Sequence, residues 1–281
     1  MSEVDQEGRP SSEASLVKSS GVKYQLRLFF TAVQFFTRLP IPRWVGFDPQ
    51  WLSRATRYLP AVGLLIAILC AGVYAILVYC LPKSVAILLS TVAGIYFTGA
   101  LHEDGFADVC DGFGGGSQPQ RVMEIMRDSR LGTFGVLGLV LLVAVKLVTL
   151  TSLPVEKIAP ALLVAHPFSR GCVAGLIWGM KYVREEGKAK PMVQQMTVIE
   201  FVVSTLTALC PLMLCGMSGW LPWSALLLAS AVALVAVMFL VRLFQRRLGG
   251  YTGDCLGAVQ QLSEVAIYIG LLAGLSPALS L

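Results

Sequence analysis

The sequence predicts an all-α, polytopic integral membrane protein: about seven transmembrane helices, an N-terminal interfacial helix and catalytic loops on the cytoplasmic face. Three observations lead there. The 281-residue chain is 56% hydrophobic and only 14% charged, with a mean hydropathy of +0.71; soluble domains carry nearer a quarter charged residues. Its apolar residues gather into runs of about 20, the length that crosses a bilayer core. Its basic residues alternate from loop to loop.

Residues 1–20 are polar and rich in Ser, Glu and Gly. They lack the apolar centre of a signal peptide and read as a disordered tail. Residues 21–281 read as a single membrane-embedded catalytic domain. The segment 24–39, YQLRLFFTAVQFFTRL, is too short and too charged to span and stops at Pro40 and Pro42, so it predicts an amphipathic helix at the membrane interface. Seven spans follow, at 58–80, 84–101, 134–153, 158–180, 198–217, 222–241 and 263–280, with no internal repeat. None of the seven cysteines (Cys70, Cys80, Cys110, Cys172, Cys210, Cys215, Cys255) forms a CxxC pair, and most lie in apolar runs. They read as buried thiols, with no zinc site or disulfide framework.

The segment before residue 58 and the loops 102–133, 181–197 and 242–262 hold 8, 3, 4 and 3 basic residues, against Lys83 and Lys157 alone in the opposite loops. By the positive-inside rule the first set faces the cytoplasm and the C-terminus faces outward. All the polar motifs lie on that one basic face.

The first motif is HEDGFADVCDGFGGG, residues 102–116. Asp104, Asp108 and Asp111 are spaced i, i+4, i+7, which on a helix stacks three carboxylates on one face. Their mutual repulsion is relieved by a divalent cation, and oxygen donors without sulfur suit Mg²⁺ or Mn²⁺. The plainer alternative is a solvated acidic helix end. Gly105 and Gly112 allow close backbone approach, and Gly114, Gly115 and Gly116 predict a flexible loop whose amides face phosphate. His102 stands as a base for a substrate hydroxyl or as a helix cap.

In RVMEIMRDSRLGTFG, residues 121–135, Arg121, Arg127 and Arg130 follow the acids within one loop. Acids for a metal and arginines for phosphate oxygens suit a metal–diphosphate substrate, although orientation alone also places basic residues there. Asp128 is either a fourth ligand or an ion-pair partner of these arginines. In HPFSRGCVAG, 166–175, Arg170 lies about 15 Å deep in its span, at about 1.5 Å per residue. An arginine at that depth costs energy unless it faces a polar cavity, and Pro167 and Gly171 loosen the helix around it. It is a candidate for gripping phosphate, with a buried ion pair as the alternative. Lys146 is expected to snorkel to the outer interface, His166 to be structural and Glu200 interfacial. In RRLGGYTGDCLGAVQQLSE, 246–264, glycines surround Asp254. Gly253 and Asp254 are candidates for substrate contact or a second metal.

Taken together, these stretches resemble the cobalamin-5′-phosphate synthase family, the adenosylcobinamide-GDP ribazoletransferases. The family pattern HxDGxADTxDG is matched by HEDGFADVCDG at 102–112, departing at Val109 where the family usually has Thr. The likeness continues, in the family's order from about residue 28, through FFTRLPIPR, EIMRDSRLGTFG, SRG with YVREEGKAK (182–190), and GGYTGDCLGA with the downstream Ser-Glu. It implies a late step of cobalamin biosynthesis in the bacterial cytoplasmic (inner) membrane, with Mg²⁺ as cofactor. There the ribose 3′-hydroxyl of α-ribazole or its 5′-phosphate attacks the phosphorus next to cobinamide in adenosylcobinamide-GDP, and GMP leaves. The implied partners are these two substrates and the lipid bilayer, with no nucleic acid; a homo-oligomer is compatible. A CDP-alcohol phosphotransferase is disfavoured because its motif needs an alanine-arginine pair where Ala107 is followed by Asp108. An ion-coupled transporter is disfavoured because transporters hold their acids near the midplane, often in inverted repeats.

Overall fold

Val22–Phe36 forms α1, the expected amphipathic helix, which buries Leu28, Ala32, Val33 and Phe36 along one side. It stops at Thr37, whose hydroxyl returns to the Val33 carbonyl, just ahead of the two prolines. The computed structural model describes residues 21–46, 48–184 and 196–276, so the tail expected at 1–20 lies outside the described residues. A short helix α2 (Pro49–Ala55), capped by Asp48, leads through a single tight turn, Thr56–Tyr58, into α3 (Leu59–Leu77), the first long apolar helix.

The second span is broken. α4 (Lys83–Thr98) and α5 (Leu101–Gly115) meet at 89°. The corner consists of two consecutive left-handed residues, Gly99 at φ 65° and Ala100 at φ 59°. Glycine adopts this conformation freely, whereas alanine does so at a cost of about 1–2 kcal/mol. The corner is braced by Arg38, whose backbone N–H donates to the Phe97 carbonyl at 2.7 Å. The acidic motif is thus a helix that leaves the line of its span. Gly114 and Gly115, expected in a loop, belong to α5, because Gly114 packs under Phe134 and the chain turns only at Gly116.

After α6 (Pro119–Ile125) come five long helices: α7 (Thr133–Ser152), α8 (Val155–Gly179), α9 (Val198–Met217), α10 (Trp223–Leu248) and α11 (Gly253–Leu275). Together with α3 they make six helices long and apolar enough to cross a membrane, and the bent pair makes a seventh. The protein is a multi-pass membrane protein. α9 begins with a reciprocal cap between Thr197 and Glu200, and Glu200, in the first turn of its span, also holds Arg57 at 2.5 Å in a buried ion pair.

The largest departure from expectation is the last span. A loop was expected over 242–262 and a helix from 263; instead α11 starts at Gly253 and only Gly249–Thr252 link it to α10. Gln260, Gln261, Ser263 and Glu264 interrupt the apolar pattern, yet all are buried. They pair with one another and with facing helices instead of with water, which makes α11 the most enclosed helix, with 83% of its apolar window covered.

One apolar cluster fills the end away from the acidic motif, built around Ile66, Leu162, Phe168, Leu226 and Ile267. A second, with Leu59, Val173, Phe244 and Val259, lies nearer the motif. Along α8 and α11, Arg170 and Glu264 fall between the two.

Candidate active site

A cavity of about 670 Å³ opens beside α5, between the first turn of α11, the loop 126–131 and residues Tyr182 and Arg184. Asp104 and Asp108, one helical turn apart on α5, line it from one side, and Asp254 at the start of α11 lines it from the other. The two helices can approach because they cross at glycines. A Cβ on Gly105 would lie 2.9 Å from the Asp254 carbonyl oxygen, and one on Gly257 would lie 2.7 Å from that of His102. Even alanine at either position would wedge the acids apart.

Asp108 sits in the combined field of Asp254, Asp104 and Asp111, with Arg184 opposing. Arg184 donates to Asp254 Oδ2 at 3.2 Å and reaches the Met126 carbonyl at 3.5 Å. Its place is set by a small parallel bridge: Val183 N–H donates to Tyr251 O, and Tyr251 N–H to Lys181 O, both at 3.0 Å. Gly253 lines the same wall. Phe35, Phe36, Leu101, Leu131 and Leu139 give the cavity an apolar side.

The remaining candidates separate. His102 lines the cavity but is buried, with its ring stacked 6.3 Å from Phe36 and its Nε2 without a hydrogen-bond partner among the described residues. Arg127 and Arg130 are exposed at its rim. Asp128 is the ion-pair partner of Arg130, Oδ2 to Nη2 at 2.6 Å, and hydrogen bonds from that guanidinium hold its carboxyl down at about 2. Arg121 pairs with Glu124 on the surface, away from the cavity. Asp111 is placed differently from Asp104 and Asp108. It is 9% exposed, and its two oxygens accept the Gly132 N–H at 2.7 Å and the Gly135 N–H at 2.8 Å. The first amides of a helix have no intrahelical acceptor and attract a carboxylate, so Asp111 docks α5 onto the start of α7.

Arg170 does not reach the open cavity. It is 2% exposed, and its Nη1 donates to the His166 carbonyl at 3.0 Å. It lines a closed cavity of about 20 Å³ with Lys146, His166 and Glu264. Lys146, expected to snorkel, is buried there with its Nζ 2.5 Å from Glu264 Oε1, because a carboxylate within reach in the interior outweighs a stretch to the interface. His166 Nδ1 lies 3.1 Å from Glu264 Oε2. Two side chains lining these cavities lie in quoted motifs but receive no role of their own from the sequence. Arg184 lies in YVREEGKAK, where basic residues are expected from orientation alone. Glu264 lies two residues inside what looked like the start of a span.

Among the described residues no three His, Cys, Asp or Glu side chains already converge as an ion cage. Mg²⁺ does not need one: it typically takes one or two carboxylates and completes its shell with water and substrate phosphate. Asp104 and Asp108, with Asp254 opposite, are hard oxygen donors in one cavity, and the residues fit that ion.

Residues 28–272 match the model of a family described as cobalamin-5-phosphate synthase. Among curated proteins, one from Shewanella woodyi is 43% identical over 257 residues, covering 89% of this chain and 97% of that protein. One from Leptothrix cholodnii is 43% identical over 260 residues, with 89% and 97% covered. One from Vibrio cholerae is 39% identical over 255 residues, with 90% and 95% covered. All three are named adenosylcobinamide-GDP ribazoletransferase. No solved structure matches the chain.

Proposed function

This chain belongs to the cobalamin-5-phosphate synthase family, and on that premise we propose how its cavity carries out the family's reaction. The protein joins adenosylcobinamide-GDP to α-ribazole, or to α-ribazole 5′-phosphate, in cobalamin biosynthesis. The observation that carries the mechanism is that Asp104, Asp108 and Asp254 line one cavity with Arg184.

Asp104 and Asp108, with Asp254 opposite, would hold Mg²⁺. When bound, the ion neutralises charge on the diphosphate and on the departing GMP. Arg127 at the rim takes phosphate oxygens through its planar fork, and Arg130 and Arg184 do so by exchanging or sharing their contacts with Asp128 and Asp254. His102, whose buried Nε2 has no partner among the described residues, accepts the proton of the ribose 3′-hydroxyl as the new oxygen–phosphorus bond forms and the bond to GMP breaks. Asp111 acts one step removed, by holding α5 against α7.

We place the protein in the bacterial inner membrane with the cavity facing the cytoplasm, on the strength of the basic loops at that end; labelling of Gly116→Cys from outside sealed cells would contradict this. The function is tested with purified, detergent-solubilised protein. GMP is expected to appear only when adenosylcobinamide-GDP and α-ribazole are both present, and to stop with EDTA. GMP release without α-ribazole would point to a hydrolase instead.

A further inference from the structure

His102 and Glu103 line both the open cavity and the closed one beneath it. The first turn of α5 is therefore the wall between them. On the open side this turn carries Asp104. On the closed side an unbroken series of hydrogen bonds leads away from it. Gln261 Nε2 donates to Glu103 Oε1 and to Gln260 Oε1, both at 2.9 Å. Gln260 Nε2 donates to Glu264 Oε2 at 2.6 Å, and Glu264 Oε1 meets Lys146 Nζ at 2.5 Å.

Two features give this chain a purpose beyond charge balance. Lys146 is already balanced at Glu264, and the two glutamines extend the path by neutral bonds to the one turn that carries Asp104. In addition, α5 follows the left-handed corner at Gly99 and Ala100, so α4 does not set its rotation through a continuous helix. The rotation of α5 has to be fixed from the side: Asp111 fixes its far end, the glycine crossing with α11 sets how closely the first turn approaches, and the Glu103–Gln261 bond ties that turn through its side chains.

We propose that Gln261 and Glu103 are positioning residues for the transferase reaction. Their hydrogen bond sets the rotation of the first turn of α5, and with it the direction in which Asp104 enters the open cavity. The proposal rests on the Asp104 assignment made above. Neither residue touches the reacting phosphate; each acts through Asp104.

The test is a charge swap. Gln261→Glu sets two carboxylates, both acceptors only, against each other where one bond stood and removes the donor to Gln260 Oε1. GMP release by the purified variant is expected to show kcat at least tenfold down and a raised Mg²⁺ requirement, with KM for α-ribazole within twofold of wild type. Glu103→Gln combined with Gln261→Glu restores a donor opposite an acceptor at the 103–261 bond, while the bond to Gln260 Oε1 stays lost, and is expected to raise kcat at least threefold above Gln261→Glu alone. Gln261→Met removes the donor without adding charge and is expected to lower kcat about fivefold; it serves if Gln261→Glu does not fold. The proposal is overturned if a folded Gln261 variant turns over within twofold of wild type, or if the swap stays as slow as Gln261→Glu alone. Wild type and Asp104→Asn are run alongside. If Asp104→Asn is as active as wild type, the metal assignment fails; if only the swap fails, the positioning role alone is lost.

Discussion

The open cavity and the closed one contain the same kinds of residue in opposite states. In the closed cavity, Glu264 is met by Lys146 at 2.5 Å, by His166 at 3.1 Å and by the Tyr268 hydroxyl at 3.2 Å. In the open cavity, Asp104 and Asp108 have no hydrogen-bond or ion-pair partner among the described residues, and Arg184 is shared between Asp254 and a backbone carbonyl. Buried charges have to be paired, since removing one partner strands the other in a medium that cannot solvate it. Charges left unpaired in a site open to water are free for an ion or a substrate. Depth in the membrane alone does not place a residue in the open cavity: Arg170 is deep and charged but lines the closed one, where Nη1 donates to the His166 carbonyl and Nε has no partner among the described residues.

The largest expected effect belongs to the closed side. Lys146→Met strands Glu264 and should cost about 3–5 kcal/mol of stability, read as a lowered thermal midpoint in detergent. A midpoint equal to wild type would mean that the pair is not holding the helices. Arg170→Lys comes next. It loses the guanidinium bond to the His166 carbonyl and should cost about 1.5–3 kcal/mol, with turnover per folded molecule within threefold of wild type. A folded, inserted variant that has lost most of its activity would instead return Arg170 to the substrate.

The smallest effect is expected at the rim. Arg130 holds Asp128 at about 2, below the ordinary aspartate value of about 3.9. Whatever the pair contributes is complete above that ordinary value and is lost only as pH falls towards 2. Asp128→Asn should therefore leave the rate–pH profile between about pH 5 and 9 unchanged. A new inflection in that range would show that Asp128 is coupled to the reacting groups.

Much of this contrast is legible in the sequence, and what is not has physical causes. Apolar runs reveal spans because a bilayer core sets their length. The i, i+4 spacing of Asp104 and Asp108 reveals a shared face because α5 is a regular helix there. The same spacing misleads at Asp111, one turn further on, because the amides at the start of α7 come from elsewhere in the chain. The start of α11 is hidden because Gln260, Gln261 and Glu264 look like loop residues until their partners on α7, α8 and α5 are seen. Arg184 is hidden because a basic residue in such a loop is expected for orientation alone, and only the bridge between Val183 and Tyr251 brings it to Asp254. Long-range pairing leaves no local pattern.

The central claim is that the unpaired acids of the open cavity hold Mg²⁺ for diphosphate chemistry. It is tested most directly by measuring GMP release across a Mg²⁺ titration for purified wild type, Asp104→Asn and Asp108→Asn. Asparagine keeps the size and removes the charge, and losing one such contact in the transition state typically costs about 10²–10³ in rate. Both variants are expected to fall at least that far and to need more Mg²⁺ for whatever activity remains, with a thermal midpoint near that of wild type. Turnover close to wild type with an unchanged Mg²⁺ dependence would show that Asp104 and Asp108 are no more than a solvated acidic helix face.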